Sequence, residues 1–347
     1  QGSGTSVAEY AFTFEDEQTT VELSKADLTD KKELPGASLK VTDEDGNTVD
    51  EWVSKEEAHI IKGLIVGKKY KMTETKPADG YVTAESIEFT VENTKEVQKH
   101  QMLDDVTKVE ISKKDITDSS EVPGAKLIIL DKDGKKVESW TSTDKPHMVE
   151  KLPVGEYTLR EEQAPDGYLI AEDVKFTVKD TGKVQKVKMK DAHPYGKLVI
   201  KKTDSTSKAA LSGEEFELRE KESGKVVEKL VTDKTGTATS GKIPIATYKN
   251  GKVEKTVEYI LVETKAPNGY ELSSKKEEIR FEYKDGKTKV IEIVKEIKNT
   301  KSPSGSTPTG NSPKTGDSTN IWLPILLAVL SACGIGGVIW YKKKKGN

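Results

Sequence analysis

The feature that most limits what this chain can fold into is a pattern written three times. VELSKADLTDKKELPGASLKV (Val21 to Val41) returns as VEISKKDITDSSEVPGAKLII (Val109 to Ile129) and, more loosely, as LVIKKTDSTSKAALSGEEFEL (Leu198 to Leu218). Lys113 follows Lys25 by 88 residues, and Lys202 follows Lys113 by 89. A period of that length is a whole small domain, so the chain reads as a tandem array. Within each copy, apolar residues alternate with polar ones between turn dipeptides such as Asp45-Gly46, Asp133-Gly134 and Ser223-Gly224. Period-two alternation with such turns is hairpin chemistry. No amphipathic helical period occurs before Ile321. The expected fold class is therefore all-β, with one sandwich per repeat. The third copy is longer, its extra residues falling between Leu218 and Glu258.

A second motif recurs in step with the first: TETKPADGY (Thr73 to Tyr81), REEQAPDGY (Arg160 to Tyr168) and VETKAPNGY (Val262 to Tyr270). Alternation puts Glu74 on one strand face with Tyr70 and Met72, Glu161 with Tyr157 and Leu159, and Glu263 with Tyr259 and Leu261. The opening strands end their apolar stripes on Lys25, Lys113 and Lys202. The closing strands carry Asp104 beside Met102, Asp191 beside Val187 and Met189, and Asn299 beside Ile293 and Ile297. Each repeat thus aims one Lys, one Glu and one Asp or Asn at its core, where ordinary charges are costly. Taken singly, such residues read as a solvated lysine or a turn-capping glutamate. An ion pair accounts for Lys with Glu but leaves the third group over. A covalent reaction uses all three. An apolar site favours a neutral amine, which is a nucleophile, and a neutral carboxyl or carboxamide, which is an electrophile. Held in contact they react as one molecule, and a neighbouring glutamate can move the protons. The product is a Lys–Asp or Lys–Asn isopeptide bond, with loss of water or ammonia.

On these residues the chain, from about Thr19 to Thr300, resembles the Cna-B-type or SpaA-type pilin domains of Gram-positive surface proteins. The shared marks are the lysine-bearing first strand, the glutamate strand ending ETxAPxGY, and the Asx-bearing last strand. The resemblance implies prealbumin-like (Ig-like) β-sandwiches with spontaneous isopeptide bonds: Lys25–Asp104 with Glu74, Lys113–Asp191 with Glu161, and Lys202–Asn299 with Glu263. The first repeat departs in its Pro-Ala turn. The second has Glu162 where threonine is usual, at a position facing outward.

IWLPILLAVLSACGIGGVIWY (Ile321 to Tyr341) carries no charge, and as a helix it would span about 31 Å, enough for a bilayer core. Lys342 to Lys345 follow, which places the tail in the cytoplasm and the repeats outside. SPKTG (Ser312, Pro313, Lys314, Thr315, Gly316) stands before this segment. The whole resembles a sortase sorting signal, with Ser312 where leucine is usual. It implies cleavage between Thr315 and Gly316 by a sortase and attachment to peptidoglycan. A permanent membrane anchor is the rival reading, and a GPI signal fits poorly with four terminal lysines.

The expected organisation is residues 1–18 as the tail of a truncated preceding domain or a leader, then Cna-B-like domains at 19–105, 106–194 and 195–300, the last with an insertion. A disordered Ser/Thr/Pro/Gly wall spacer follows at 301–320, one transmembrane helix at 321–341 and a basic tail at 342–347. Asp16 lies 9 residues before Lys25, as Asp104 lies 9 before Lys113, so AFTFED reads as a closing strand of an earlier domain. QGSGTS reads as the start of a fragment.

Other function classes find little support. Net charge is −3 with Lys and Arg spread along the chain, which gives no nucleic-acid footprint. Cys333 is the sole cysteine, so no internal disulfide is available. His59, His100, His147 and His193 stand apart without metal-ligand spacing and read as solvated or loop residues. STSK (Ser205 to Lys208) lacks partner motifs for an enzyme, and DEDGN at Asp43 lacks calcium-loop spacing. No cofactor is implied, and the only chemistry is a single autocatalytic turnover per site. The expected function is a cell-wall-anchored stalk of an adhesin or pilin-like protein. The alternative is an adhesin whose repeats bind host matrix protein or glycan directly, with Trp52 and Trp140 at equivalent places. Other pilin subunits are further possible partners.

Overall fold

The computed structural model describes residues 17–303. The expectations for Asp16 and the N-terminal segment, and for most of the spacer, the sorting motif, the apolar segment and the lysine tail, lie outside the described residues.

The first repeat contains β1 (Thr20–Asp27), β2 (Ser38–Thr42), β3 (Thr48–Val53), β4 (His59–Lys62), β5 (Lys69–Lys76), β6 (Ile87–Thr90) and β7 (Gln98–Asp104). The second contains β8 (Lys108–Asp115), β9 (Lys126–Asp131), β10 (Lys136–Thr141), β11 (His147–Glu150), β12 (Gly155–Gln163), β13 (Val174–Val178) and β14 (Gln185–Asp191). The third opens with β15 (Tyr195–Asp204), β16 (Glu215–Glu220), β17 (Val226–Val231) and β18 (Thr237–Thr239). It continues through β19 (Ile243–Pro244), β20 (Ala246–Lys249), β21 (Lys252–Thr256), β22 (Glu258–Lys265), β23 (Glu277–Arg280) and β24 (Val290–Asn299). No helix occurs among the described residues, so none there is long and apolar enough to cross a membrane.

Each repeat is a sandwich of two sheets. In the first, β4-β1-β7 faces β3-β2-β5-β6; in the second, β11-β8-β14 faces β10-β9-β12-β13. The third pairs β15 with β18, β19 and β24, against β17-β16-β22-β23. Alternation along the strands fills the space between sheets with Val21, Leu23, Leu39, Val41 and Met72 in the first repeat, and with their counterparts in the others. The hairpin turns close on left-handed glycines, Gly46 at φ 83° and Gly134 at φ 78°. The extra length of the third repeat lies chiefly in β19 and the β20–β21 hairpin.

Two features of the sheets matter for chemistry. The first and last strands of each repeat are neighbours and run parallel. A register irregularity also follows each motif glutamate: Thr75 is skipped after Glu74, Glu162 after Glu161, and Thr264 after Glu263. A bulge at that point re-aims the adjacent side chain and ends regular pairing.

The histidines depart from the expectation of solvated or loop residues. His59, His100 and His147 sit on strands, and all four rings are half-buried. His59 stacks on Trp52 at 4.2 Å, His147 on Trp140 at 4.4 Å, His100 on Phe89 at 4.5 Å and His193 on Tyr248 at 3.5 Å. A flat ring with an apolar face gains more against another ring than in water. Both tryptophans are partly buried against their core and stack on that histidine.

Candidate functional site

Parallel pairing brings the first and last strands together at one fixed offset. Lys25 lies opposite Met102, two positions before Asp104; Lys113 lies opposite Met189, two before Asp191; Lys202 lies opposite Ile297, two before Asn299. Residues two apart share a strand face, so lysine and Asx meet diagonally between the sheets. The glutamate comes from the facing sheet, on β5, β12 or β22, at the bulge. All nine side chains are buried; Lys25, Lys113 and Lys202 are 1%, 2% and 0% exposed. That exposure removes the solvated-lysine reading, because a long ammonium side chain normally keeps its head in water.

In the first repeat Lys25 Nζ contacts Asp104 Oδ1 directly and lies 2.9 Å from Glu74 Oε1. Glu74 Oε2 accepts from the Ala84 amide at 2.7 Å, which fixes the carboxyl. The second repeat repeats this arrangement: Lys113 Nζ contacts Asp191 Oδ1 and lies 2.9 Å from Glu161 Oε2, which accepts from the Ala171 amide at 2.6 Å. Asp104 Oδ2 and Asp191 Oδ2 are buried without a hydrogen-bond partner. Burial raises both aspartates above the ordinary carboxylate range, and the adjacent lysine offsets only part of that rise. These are carboxyls biased toward the neutral acid.

The third site differs. Lys202 Nζ donates to Asn299 Oδ1 at 2.6 Å and to Glu263 Oε2 at 3.0 Å, while Asn299 Nδ2 donates to Glu263 Oε1 at 2.7 Å. A fourth residue enters here. Glu214 is fully buried, with Oε2 3.3 Å from Lys202 Nζ and Oε1 accepting from Asn299 Nδ2 at 3.2 Å. Its place is taken by Ala37 and Ala125 in the other repeats. Pattern reasoning passed over Glu214, although LSGEEF beside LPGASL and VPGAKL shows the change.

A second buried pair also escaped the sequence reading. Tyr81 OH donates to Asp27 Oδ2 at 2.7 Å, Tyr168 OH to Asp115 Oδ2 at 2.7 Å, and Tyr270 OH to Asp204 Oδ2 at 2.9 Å. The signal was present: an Asp two residues after each lysine, and the Tyr ending each motif. The tyrosine is presented by a turn in which its amide donates three residues back, as Tyr81 does to Ala78 O at 3.0 Å. Gly80, at φ 85°, occupies the position of that turn that requires a left-handed residue.

The other motifs fold as local structure. Asp43 Oδ1 accepts from the amides of Asp45 and Asn47, closing a hairpin. Ser205 to Lys208 form a turn capped by Asp204 Oδ1. Among the described residues no cluster of His, Cys, Asp or Glu could hold a metal ion.

Three tandem all-β sandwiches, each with a buried Lys, Glu and Asx between its sheets, define a class of repeat domain. The model of the SpaA prealbumin-like fold domain matches residues 19–105, 107–193 and 196–297, and the chain belongs to that family. Among solved structures, the TIE protein of Bacillus anthracis is 26% identical with a TM-score of 0.55, over 82% of this chain and 52% of that one. The chain therefore spans about half the length of that relative. BcpA, the major pilin subunit of Bacillus cereus, is 18% identical with a TM-score of 0.48, over 82% of this chain and 100% of its own. The shaft pilin SpaA of Lactobacillus rhamnosus GG is 13% identical with a TM-score of 0.27, over 50% of this chain and 98% of its own. No curated protein matches the chain.

Proposed function

We propose that the chain is a cell-wall-anchored stalk of a pilin-like surface protein or adhesin, in which each repeat closes itself with an isopeptide bond. The supporting observation is the buried triplet found three times at one register offset. In the first two repeats the free lysine amine adds to the Asp Cγ. The new C–N bond replaces the C–OH bond, one proton passes from Nζ to the departing hydroxyl, and water leaves. The glutamate, in contact with the lysine, carries that proton. In the third repeat Lys202 adds to Asn299 and ammonia leaves.

The mechanical consequence follows from the parallel strands. Tension entering at the start of β1 runs to Lys25, crosses to Asp104 and leaves toward the next repeat, bypassing everything between them. The same path holds in β8 with β14 and in β15 with β24. Each bond also closes a long loop, Lys25 and Asp104 being 79 positions apart. If the chain-entropy model for disulfides transfers, that is worth about 4.5 kcal/mol. A chain without paired cysteines thereby gains a covalent brace. Anchoring through Thr315 and Gly316 by a sortase to peptidoglycan belongs to the same reading, as does assembly with other pilin subunits.

The test is mass. The full chain should weigh less than its sequence by two waters and one ammonia, and Glu161→Ala should restore one water. An unmodified mass would end the crosslink reading. Fractionation of a sortase-bearing host expressing Thr315→Ala tests the anchor: the variant should be lost from the covalent wall fraction.

A further inference from the structure

The three sites hold the same number of carboxyl groups in two different ways. The first and second each contain one lysine and two carboxyls, a glutamate and an aspartate. The third has a carboxamide, Asn299, in place of the aspartate, and it has Glu214 where the other two repeats carry Ala37 and Ala125. Loss of a carboxyl from the last strand is thus matched by gain of one immediately before β16. The gained carboxyl touches both reacting nitrogens, Lys202 Nζ at 3.3 Å and Asn299 Nδ2 at 3.2 Å.

The chemistry of the leaving group gives this exchange a purpose. A neutral aspartic acid brings its own proton and loses water. A carboxamide has no acidic proton, and its nitrogen departs only after gaining one, because an amide anion is a far poorer leaving group than ammonia. We propose that Glu214 is a catalytic acid for the third crosslink, giving its proton to Asn299 Nδ2 as the C–N bond of the carboxamide breaks. This rests on the reading of the triplets as crosslink sites.

The step balances. The Lys202 lone pair forms the new bond to Asn299 Cγ, Glu263 Oε2 takes one proton from Nζ, and Glu214 gives one to Nδ2, which leaves as ammonia. The two glutamates finish with the number of protons they began with. Geometry divides the roles: Glu263 makes the closer contact with the lysine. Glu214 makes the longer contact with each nitrogen, 3.3 and 3.2 Å against 3.0 and 2.7 Å for Glu263, so its carboxyl is the less satisfied as an anion. Burial, with Glu263 adding to it against the pull of Lys202, holds Glu214 at about 7, where a proton is available near neutral pH.

The experiment samples the full chain at intervals during cell-free synthesis, digests it and quantifies the Lys202–Asn299 linked peptide. The Lys25–Asp104 and Lys113–Asp191 peptides of the same molecules serve as references. Glu214→Gln, which is isosteric, and Glu214→Ala, which restores the residue of the other repeats, should each slow the third crosslink about a hundredfold or more, with the references unchanged. The double variant Glu214→Ala with Asn299→Asp rebuilds the residue set of the first two sites. It should crosslink at their rate, losing water instead of ammonia. Wild-type rates in both single variants would overturn the assignment of Glu214, as would failure of the double variant to recover while its references form. Absence of all three linked peptides from the wild type would remove the crosslink reading itself, and this proposal with it.

Discussion

The two junctions between repeats cover the same buried pair by different means. Where the first repeat meets the second, Lys151 donates to Tyr81 OH at 2.7 Å and lies 3.4 Å from Asp27 Oδ2. Asp180 accepts from the Thr83 amide and hydroxyl at 2.9 and 2.6 Å, on the surface. Where the second meets the third, the β20–β21 hairpin reaches back. Tyr248 donates to Gly167 O at 2.8 Å and stacks on His193, whose Nε2 is 2.8 Å from Asp115 Oδ2. Tyr283 donates to Tyr168 O at 3.0 Å, and the Ile170 amide to Gly286 O at 2.8 Å. Val122, Ala164, Tyr168, Ile170 and Tyr248 form one apolar cluster across this boundary. Exposed polar contacts set an angle but hold weakly, whereas apolar burial holds. The first joint has a buried element too, Thr107 bonding Gly80 O and Leu152 O, and the insertion in the third repeat adds an apolar seal to the second.

The sharpest way to break this contrast is Gly251→Ala. A Cβ there would lie 1.9 Å from Glu121 O, on a backbone already at φ 69°. Undocking should cost up to about 3 kcal/mol, and exchange of the Ile170 amide should rise about a hundredfold, with Thr83 unaffected. Tyr248→Ala comes next, at about 2 kcal/mol, below the usual cost for a large ring because Tyr248 is half-buried. The same amide reports it.

Acid should act on both joints. Burial works to raise Asp27, but bonds from Tyr81 and the Thr29 amide outweigh it and hold the carboxyl at about 2. Asp115 is likewise raised by burial and lowered further by Thr117, Tyr168 and His193, also to about 2. A depressed folded value means stability that is present above the unfolded Asp range near 4 and lost as pH falls toward 2. Exchange at Ile170 should climb through that window in the wild type, and Asp115→Asn should flatten the climb. The smallest effect belongs to Lys151→Ala. It removes one partly exposed cation and should cost less than about 1 kcal/mol, read as a slight rise in Thr83 exchange.

The strands and the buried Lys, Glu and Asx of each repeat were legible because each rests on a local rule repeated three times. Two-residue alternation carries Lys25, Glu74 and Asp104 inward wherever the neighbouring apolar residues go, and no distant contact is needed to see it. Glu214 was not legible that way, because LSGEEF places it at the entrance of a strand among other charges. Only β15, β22 and β24 converging on it show that it is buried. The histidines failed for a related reason: His59 and Trp52 lie seven positions apart on different strands, and their stacking depends on how β3 and β4 come together.

What the sequence by itself determined, then, was the period, the all-β class and which residue types face each core, since these follow from side-chain alternation along a strand. What only the tertiary structure decided was the two-residue offset between parallel first and last strands, the bulge behind each glutamate, the fourth residue at one site and the docking of a hairpin onto the preceding repeat. Each of these joins residues tens of positions apart, and the free energy that selects them exists only once the sheets have closed on one another.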